Sequence, residues 1–194
     1  EFGLAPRFSE AVEAGHILIK DSTCPALHAQ LQATEKSVPF MPLRGVSGSD
    51  IQKYRKDWQG IENPMKCSGH KNEPILLLPA VQLDVLIFHA PCVDKNGNIQ
   101  IGRRRELATL AHASKKVFVT TEQILDIDFF DNELSAATCL PALYVDGISV
   151  VENGAWPCAL PGVYGQDNDE IKKYSIAAKT QKGFEEYMQN YLFN

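Results

Sequence analysis

The sequence is short of long apolar runs. The nearest to one, PILLLPAVQLDVLIF, is interrupted by Pro79, Gln82 and Asp84. It falls below the roughly 20 apolar residues that a membrane-crossing helix needs, so no membrane role is expected. Positive charge is also scarce. Nineteen lysines and arginines stand against 24 aspartates and glutamates, for a net charge of −5 and a pI near 5.5. That balance argues against nucleic acid as the main partner. The local exception, Arg103-Arg104-Arg105, reads as a solvated helix start or a phosphate contact. Cysteine motifs are missing. Cys24, Cys67, Cys92, Cys139 and Cys158 are odd in number and scattered, with no C-x-x-C pair. Reduced thiols and a cytoplasmic setting are therefore expected. His16, His28, His70, His89 and His112 show no ligand spacing to these cysteines, so no metal site is expected. There is no G-x-x-x-x-G-K-[ST] and no G-x-S-x-G elbow. The stretch GVSGSD follows PFMPLR rather than a buried strand, which argues against a serine hydrolase.

What is present suits one α/β domain over residues 1–194, long enough to bury a core. Helical and strand-like patterns alternate. APRFSEAVEAG predicts a short helix with Pro6 in its first turn and Gly15 as its stop. HILIK predicts a strand. DSTCPALHAQLQATEKS predicts a helix capped by Ser22 or Thr23. Residues 37–74 look irregular, and a loop of that length is usually functional or mobile. PILLLPA, DVLIFHA and VFVTT read as strands buried on both faces, because their apolar runs do not alternate. RRRELATLAHASKK predicts a helix with Leu107, Leu110 and Ala111 as its stripe. ALYVDGISVV predicts the last strand, and the tail predicts two helices split near Lys182-Gly183. The pattern implies an open, mostly parallel sheet with helices on both faces.

Three stretches can carry chemistry. In the segment Leu43–Asp50, Gly45 and Gly48 would let backbone approach a ligand closely, beside Ser47, Ser49 and the Arg44 guanidinium. The same composition also suits a surface turn. His89 ends a buried strand, where α/β folds place ligands; a hydrogen-bonded structural imidazole is the competing reading. Asp94, Gly97 and Asn98 form a D-x-x-G-N turn, whose residue types point to structure rather than chemistry. Glu152, in VENGAW, is an isolated carboxylate that could serve as a nucleophile or simply flank a turn.

GLAPRFSEAVEAG, VPFMPLRGVSGSD, DVLIFHAPCVDKNGNIQI, VFVTTEQI, VDGISVVENGAWP and GFEEYMQNYL, in this order, resemble the A (alpha) subunit of class I CoA-transferases of the glutaconate CoA-transferase type. The resemblance implies a NagB/RpiA/CoA-transferase-like fold and a B-type subunit that carries a nucleophilic glutamate. It implies coenzyme A as substrate rather than as a permanently bound cofactor. It also implies acyl-CoA and a carboxylic acid as ligands, with Arg44, Gly45, Ser47, Gly48, Ser49 and His89 as binding candidates. Two departures stand out. Family A subunits carry further chain ahead of the GLAP segment, so the sequence is expected to be N-terminally incomplete and a separate N-terminal segment is a conceivable partner. Trp156 occupies the histidine position of the family's GAHP. The register of VENG matches the A subunit's own C-terminal segment, so the family's S-E-N-G nucleophile does not map onto Glu152. Two other readings follow: a hydrolase of this fold acting on CoA-linked ring intermediates, and a truncated non-catalytic assembly module.

Overall fold

The structure is a computed structural model and describes residues 5–65 and 74–192. His70 and Cys67 lie outside the described residues. Two compact units can be distinguished. One comprises Glu1–Ile19 with Ala155–Asn194, the other Lys20–Gly154.

Among the described residues the larger unit holds ten strands. In chain order its elements are α2 (Cys24–Glu35), β1 (Phe40–Leu43), α3 (Asp50–Tyr54), β2 (Gln59–Glu62), β3 (Pro74–Pro79), β4 (Leu83–Ala90), β5 (Val93–Asp94), β6 (Ile99–Gln100), α4 (Glu106–His112), β7 (Ser114–Thr121), β8 (Ile124–Leu125), α5 (Glu133–Ala136), β9 (Cys139–Leu140) and β10 (Gly147–Val150). The smaller unit holds α1 (Pro6–Glu13), α6 (Asn168–Ala177) and α7 (Gln181–Leu192).

The parallel sheet has the order β10-β7-β4, with His89 opposite Thr120 and Thr120 opposite Ser149. One face carries Leu86, Ala90, Val117 and Val119, all buried against Leu107 and Ala111 of α4. Val85 and Ile87 of β4 and Phe118 of β7 point the other way and are exposed. The apolar runs expected to be buried on both faces are therefore buried on one. The run of branched residues identified the strands but not how many faces are covered. PILLLPA departs further. As β3 it lies between β1 and β2 in an antiparallel sheet, with Leu76 and Leu78 buried and Ile75 and Leu77 half-buried. Leu76 and Leu78 pack with Ala26, Ala29, Val46 and Trp58 in a second core. A third sheet, β8-β5-β6-β9, is built from two-residue strands.

Other local readings are corrected. HILIK is not a strand; it leaves Leu18 almost wholly exposed, and without a partner ladder a β-branched run does not form a strand. The irregular region 37–74 contains β1, α3 and β2, short elements whose pairing is nonlocal. The break between the tail helices falls at Ala178–Thr180, so Lys182-Gly183 lies inside α7. Glycine at 183 is explained by packing: a Cβ there would strike the Ala177 carbonyl oxygen. The helix readings hold better. Pro6 opens α1, and the Thr23 hydroxyl accepts the Ala26 N–H at the start of α2.

Candidate functional site

The carboxyl ends of β4, β7 and β10 gather polar groups from three separate stretches of chain. His89 comes from β4, Thr120 and Glu122 from the end of β7, and Asn153 and Gly154 from the turn after β10. The imidazole Nδ1 lies 2.8 Å from Thr120 Oγ1, and Nε2 lies 2.7 Å from Glu122 Oε1. With Glu122 ionised its carboxylate only accepts, which makes Nε2 the donor on that side. The second carboxylate oxygen, Glu122 Oε2, accepts the Asn153 N–H at 2.8 Å. The His89 and Glu122 side chains are only 8% and 13% exposed, so each needs these partners. Arg104 donates to the His89 carbonyl at 3.2 Å and Arg105 to the Ala137 carbonyl at 2.8 Å. Two members of the basic run are thus bound to backbone carbonyls.

The turn itself is tightly defined. Asn153 has φ of 55°, a left-handed conformation that asparagine tolerates better than most residues. A Cβ on residue 154 would lie 2.6 Å from the His89 ring, so glycine is required by close approach to the imidazole. Glu152, two residues earlier, is exposed.

The loop from Arg44 behaves differently from the expected anion cradle. Its N–H groups at Ser47 and Ser49 donate to the carbonyls of Arg44 and Val46, at 3.0 and 3.2 Å. The Gly48 N–H donates to Gln52 Oε1 at 3.0 Å, and the Ser49 hydroxyl to the Val46 carbonyl at 2.7 Å. Three successive N–H donors are committed within the loop and to Gln52, so they do not form an open nest. What faces the adjoining cavity of about 440 Å³ is Arg44, Gly45 and Ser47, with Pro74. Gly48 has φ of 79°, so its glycine serves the turn.

Asp94 is 1% exposed and organises the D-x-x-G-N turn. It accepts from Asn96 N–H, Asn98 N–H, Asn98 Nδ2 and Phe129 N–H, all between 2.8 and 3.0 Å. Burial pushes its pKa up, but the hydrogen bonds from Phe129, Asn98 and Asn96 outweigh burial and hold it below the usual carboxylate value. Burial raises the pKa of the Cys92 and Cys139 thiols, which leaves them weak nucleophiles. Trp156, in the smaller unit, is 41% exposed; its Nε1 donates to Asp167 Oδ2 at 3.1 Å. Among the described residues, no group of three or more His, Cys, Asp or Glu side chains is placed to hold a metal ion, and no helix is long and apolar enough to cross a membrane.

Sequence reasoning singled out His89 but missed Glu122 and Thr120. A signal did exist: VFVTTEQI turns polar where the strand ends, which is where open parallel sheets carry their ligand crevices.

A one-sided parallel sheet with polar groups at its carboxyl ends, joined to a smaller antiparallel layer, defines an α/β chain of the CoA-transferase fold. The solved glutaconate CoA-transferase of Acidaminococcus fermentans superposes with a TM-score of 0.83 and 26% identity, over 97% of this chain and 63% of that one. A variant of the decarboxylase AibA/AibB matches in fold at TM-score 0.81 and 22% identity, over 97% of this chain and 67% of that one. In sequence, the chain is homologous to CoA-transferase A subunits. The A subunit of glutaconate CoA-transferase from Acidaminococcus fermentans is 27% identical over 97% of this chain and 62% of its own length. An uncharacterized protein of Archaeoglobus fulgidus is 32% identical over 98% of this chain and 42% of its own. The cholesterol ring-cleaving hydrolase IpdA subunit of Rhodococcus jostii is 27% identical over 96% and 64%. The chain thus spans less than two thirds of the length of these curated relatives. No family model matches it.

Proposed function

We propose that this chain is the A-type portion of an acyl-CoA:carboxylate CoA-transferase and works with a B-type subunit. The observation that carries this reading is the glutaconate CoA-transferase match across nearly the whole chain in both sequence and structure. In the proposed reaction, the B-type subunit's glutamate carboxylate attacks the thioester carbonyl and expels CoA thiolate, leaving an acyl–glutamyl anhydride. The thiolate then attacks the glutamyl carbonyl, releasing the first acid. An incoming carboxylate takes over the enzyme-bound CoA by the reverse sequence. No oxidant, metal or resident cofactor enters this balance.

Two features support a dependent subunit. Glu152 lies exposed in a turn, and its register is that of the A subunit's own C-terminal segment rather than of the family's S-E-N-G nucleophile. Val85, Ile87 and Phe118 expose an apolar strip on the parallel sheet, and such strips mark surfaces that a partner covers. Arg44 at the cavity rim suits an acid carboxylate, to which a guanidinium gives charge-assisted bonds.

Mixing the chain with a B-type partner and following CoA transfer between acetyl-CoA and a dicarboxylic acid tests the reading. Transfer is expected from the mixture and not from the chain alone. Transfer by the chain alone that disappears in Glu152→Gln would make Glu152 the nucleophile and overturn it. Arg44→Ala should lower kcat/KM in the mixture by about ten- to a hundredfold, the loss of one charge-assisted bond. A lower Tm with unaltered kcat/KM would make Arg44 a brace of its loop. The IpdA relative favours a second reading, hydrolysis of CoA-linked ring intermediates. Release of free acid with no CoA reaching the acceptor would select it.

A further inference from the structure

Thr120, His89 and Glu122 have the polarity of a hydroxyl–imidazole–carboxylate relay, but their surroundings suit a different task. Thr120 sits on β7, the central strand, in the stretch 118–121 that both the β4 and β10 ladders pair. Within that stretch the two ladders leave no spare N–H pair beside the Thr120 hydroxyl to stabilise an oxyanion. The other end of the array is where it does something specific. Glu122 binds the Asn153 N–H, His89 abuts Gly154, and Asn153 is held at positive φ. Three features therefore converge on two residues of an otherwise exposed turn.

We propose that Glu122, His89 and Thr120 are positioning residues. They lock the Val151–Gly154 turn as the rim of the acyl-CoA site, through geometry and not through their charge or a travelling proton. The acyl-CoA part of this proposal rests on the transferase reading above.

Glutamine at 122 separates geometry from charge. Its carbonyl oxygen can keep the Asn153 bond while its amide donates to His89 Nε2. That reverses the imidazole tautomer, so Nδ1–H donates to Thr120 Oγ1. The array survives without its negative charge. Alanine at 122 removes both bonds.

The test uses ¹⁵N NMR of the full chain, and transfer kinetics of the chain mixed with a B-type partner, acetyl-CoA and a dicarboxylic acid. In the native chain the His89 proton is expected on Nε2. In Glu122→Gln it moves to Nδ1, the Asn153 amide stays protected from exchange, and kcat/KM stays within about threefold of native. In Glu122→Ala the Asn153 amide exchanges at least about tenfold faster and KM rises by about tenfold, more than kcat falls. Unchanged Asn153 exchange in Glu122→Ala overturns the proposal. So does a Glu122→Gln protein that keeps the protected amide yet is as slow as the alanine variant, since the charge would then be part of the chemistry. If the alanine variant does not fold, the glutamine variant still decides: a His89 proton remaining on Nε2 also overturns the array. Absence of transfer in the native mixture removes the transferase reading, while the tautomer and exchange results still decide whether the turn is locked.

Discussion

Asp94 and Glu122 are both carboxylates set at the end of a strand, and both are held by N–H donors, yet they are built in different ways. Three of the four bonds to Asp94 come from residues within four positions of it. Glu122 reaches Asn153 and His89, which lie 31 and 33 residues away. The Asp94 turn can form as soon as its own short segment is in place. The Glu122 corner exists only after β4, β7 and β10 have aligned. The first is a structural staple. The second ties three strands to an exposed turn, which makes it the better place for function.

The largest expected effect tests the staple. Asp94→Ala should cost about 4 kcal/mol, because several buried donors lose their acceptor at about 1–3 kcal/mol each. Chemical denaturation measures it, and a loss under about 1 kcal/mol would remove the distinction between the two carboxylates. Glu122→Ala should cost less, about 2 kcal/mol, since the Asn153 N–H lies in an exposed turn and can turn to water. If it costs more than Asp94→Ala, the corner rather than the turn is the structural staple.

A third test uses pH. Asp57 receives two hydrogen bonds from the buried Arg55, at 2.9 and 2.6 Å. That pairing, against an opposing push from burial, holds its pKa at about 2 instead of 3.8. A lowered folded-state pKa means stability that is present above the unfolded value and lost as pH falls through the folded one. Denaturation midpoints should therefore fall between about pH 4 and pH 2 and fall less steeply in Asp57→Asn. Asp94, also lowered, should contribute in the same direction. An equal slope in the variant would mean that the pair does not form in solution. The smallest effect is expected on the open face of the sheet. Ile87→Thr should change stability by no more than about 0.5 kcal/mol, whereas Leu86→Ala, one residue away, should cost about 2–4 kcal/mol. Differential scanning calorimetry of the two proteins checks this, and equal losses would show that both faces are covered in solution.

The D-x-x-G-N turn, the helix starts marked by Pro6 and Thr23 and the stripe of α4 could be read from the chain because each depends on neighbours within a few residues. The resemblance to CoA-transferase A subunits was readable for a related reason: it rests on ordered segments, and the homologues and fold agree with it. The candidate site was readable only in part. His89 stood out at a strand end, and the loop at Arg44 was recognisable by its glycines. That loop's N–H groups nevertheless turned out to be committed to its own carbonyls and to Gln52.

By itself the sequence determined the local devices: which segments could be helices or strands, where turns needed glycine or asparagine, and which carboxylate would organise its own loop. Tertiary structure decided which strands paired in parallel, which face of β4 and β7 was buried, and that Glu122 met His89 and Asn153. The physical reason is range. Caps and turns are closed by groups a few bonds apart, whereas strand register and the contacts it creates depend on burying apolar surface between segments that the sequence alone does not place side by side.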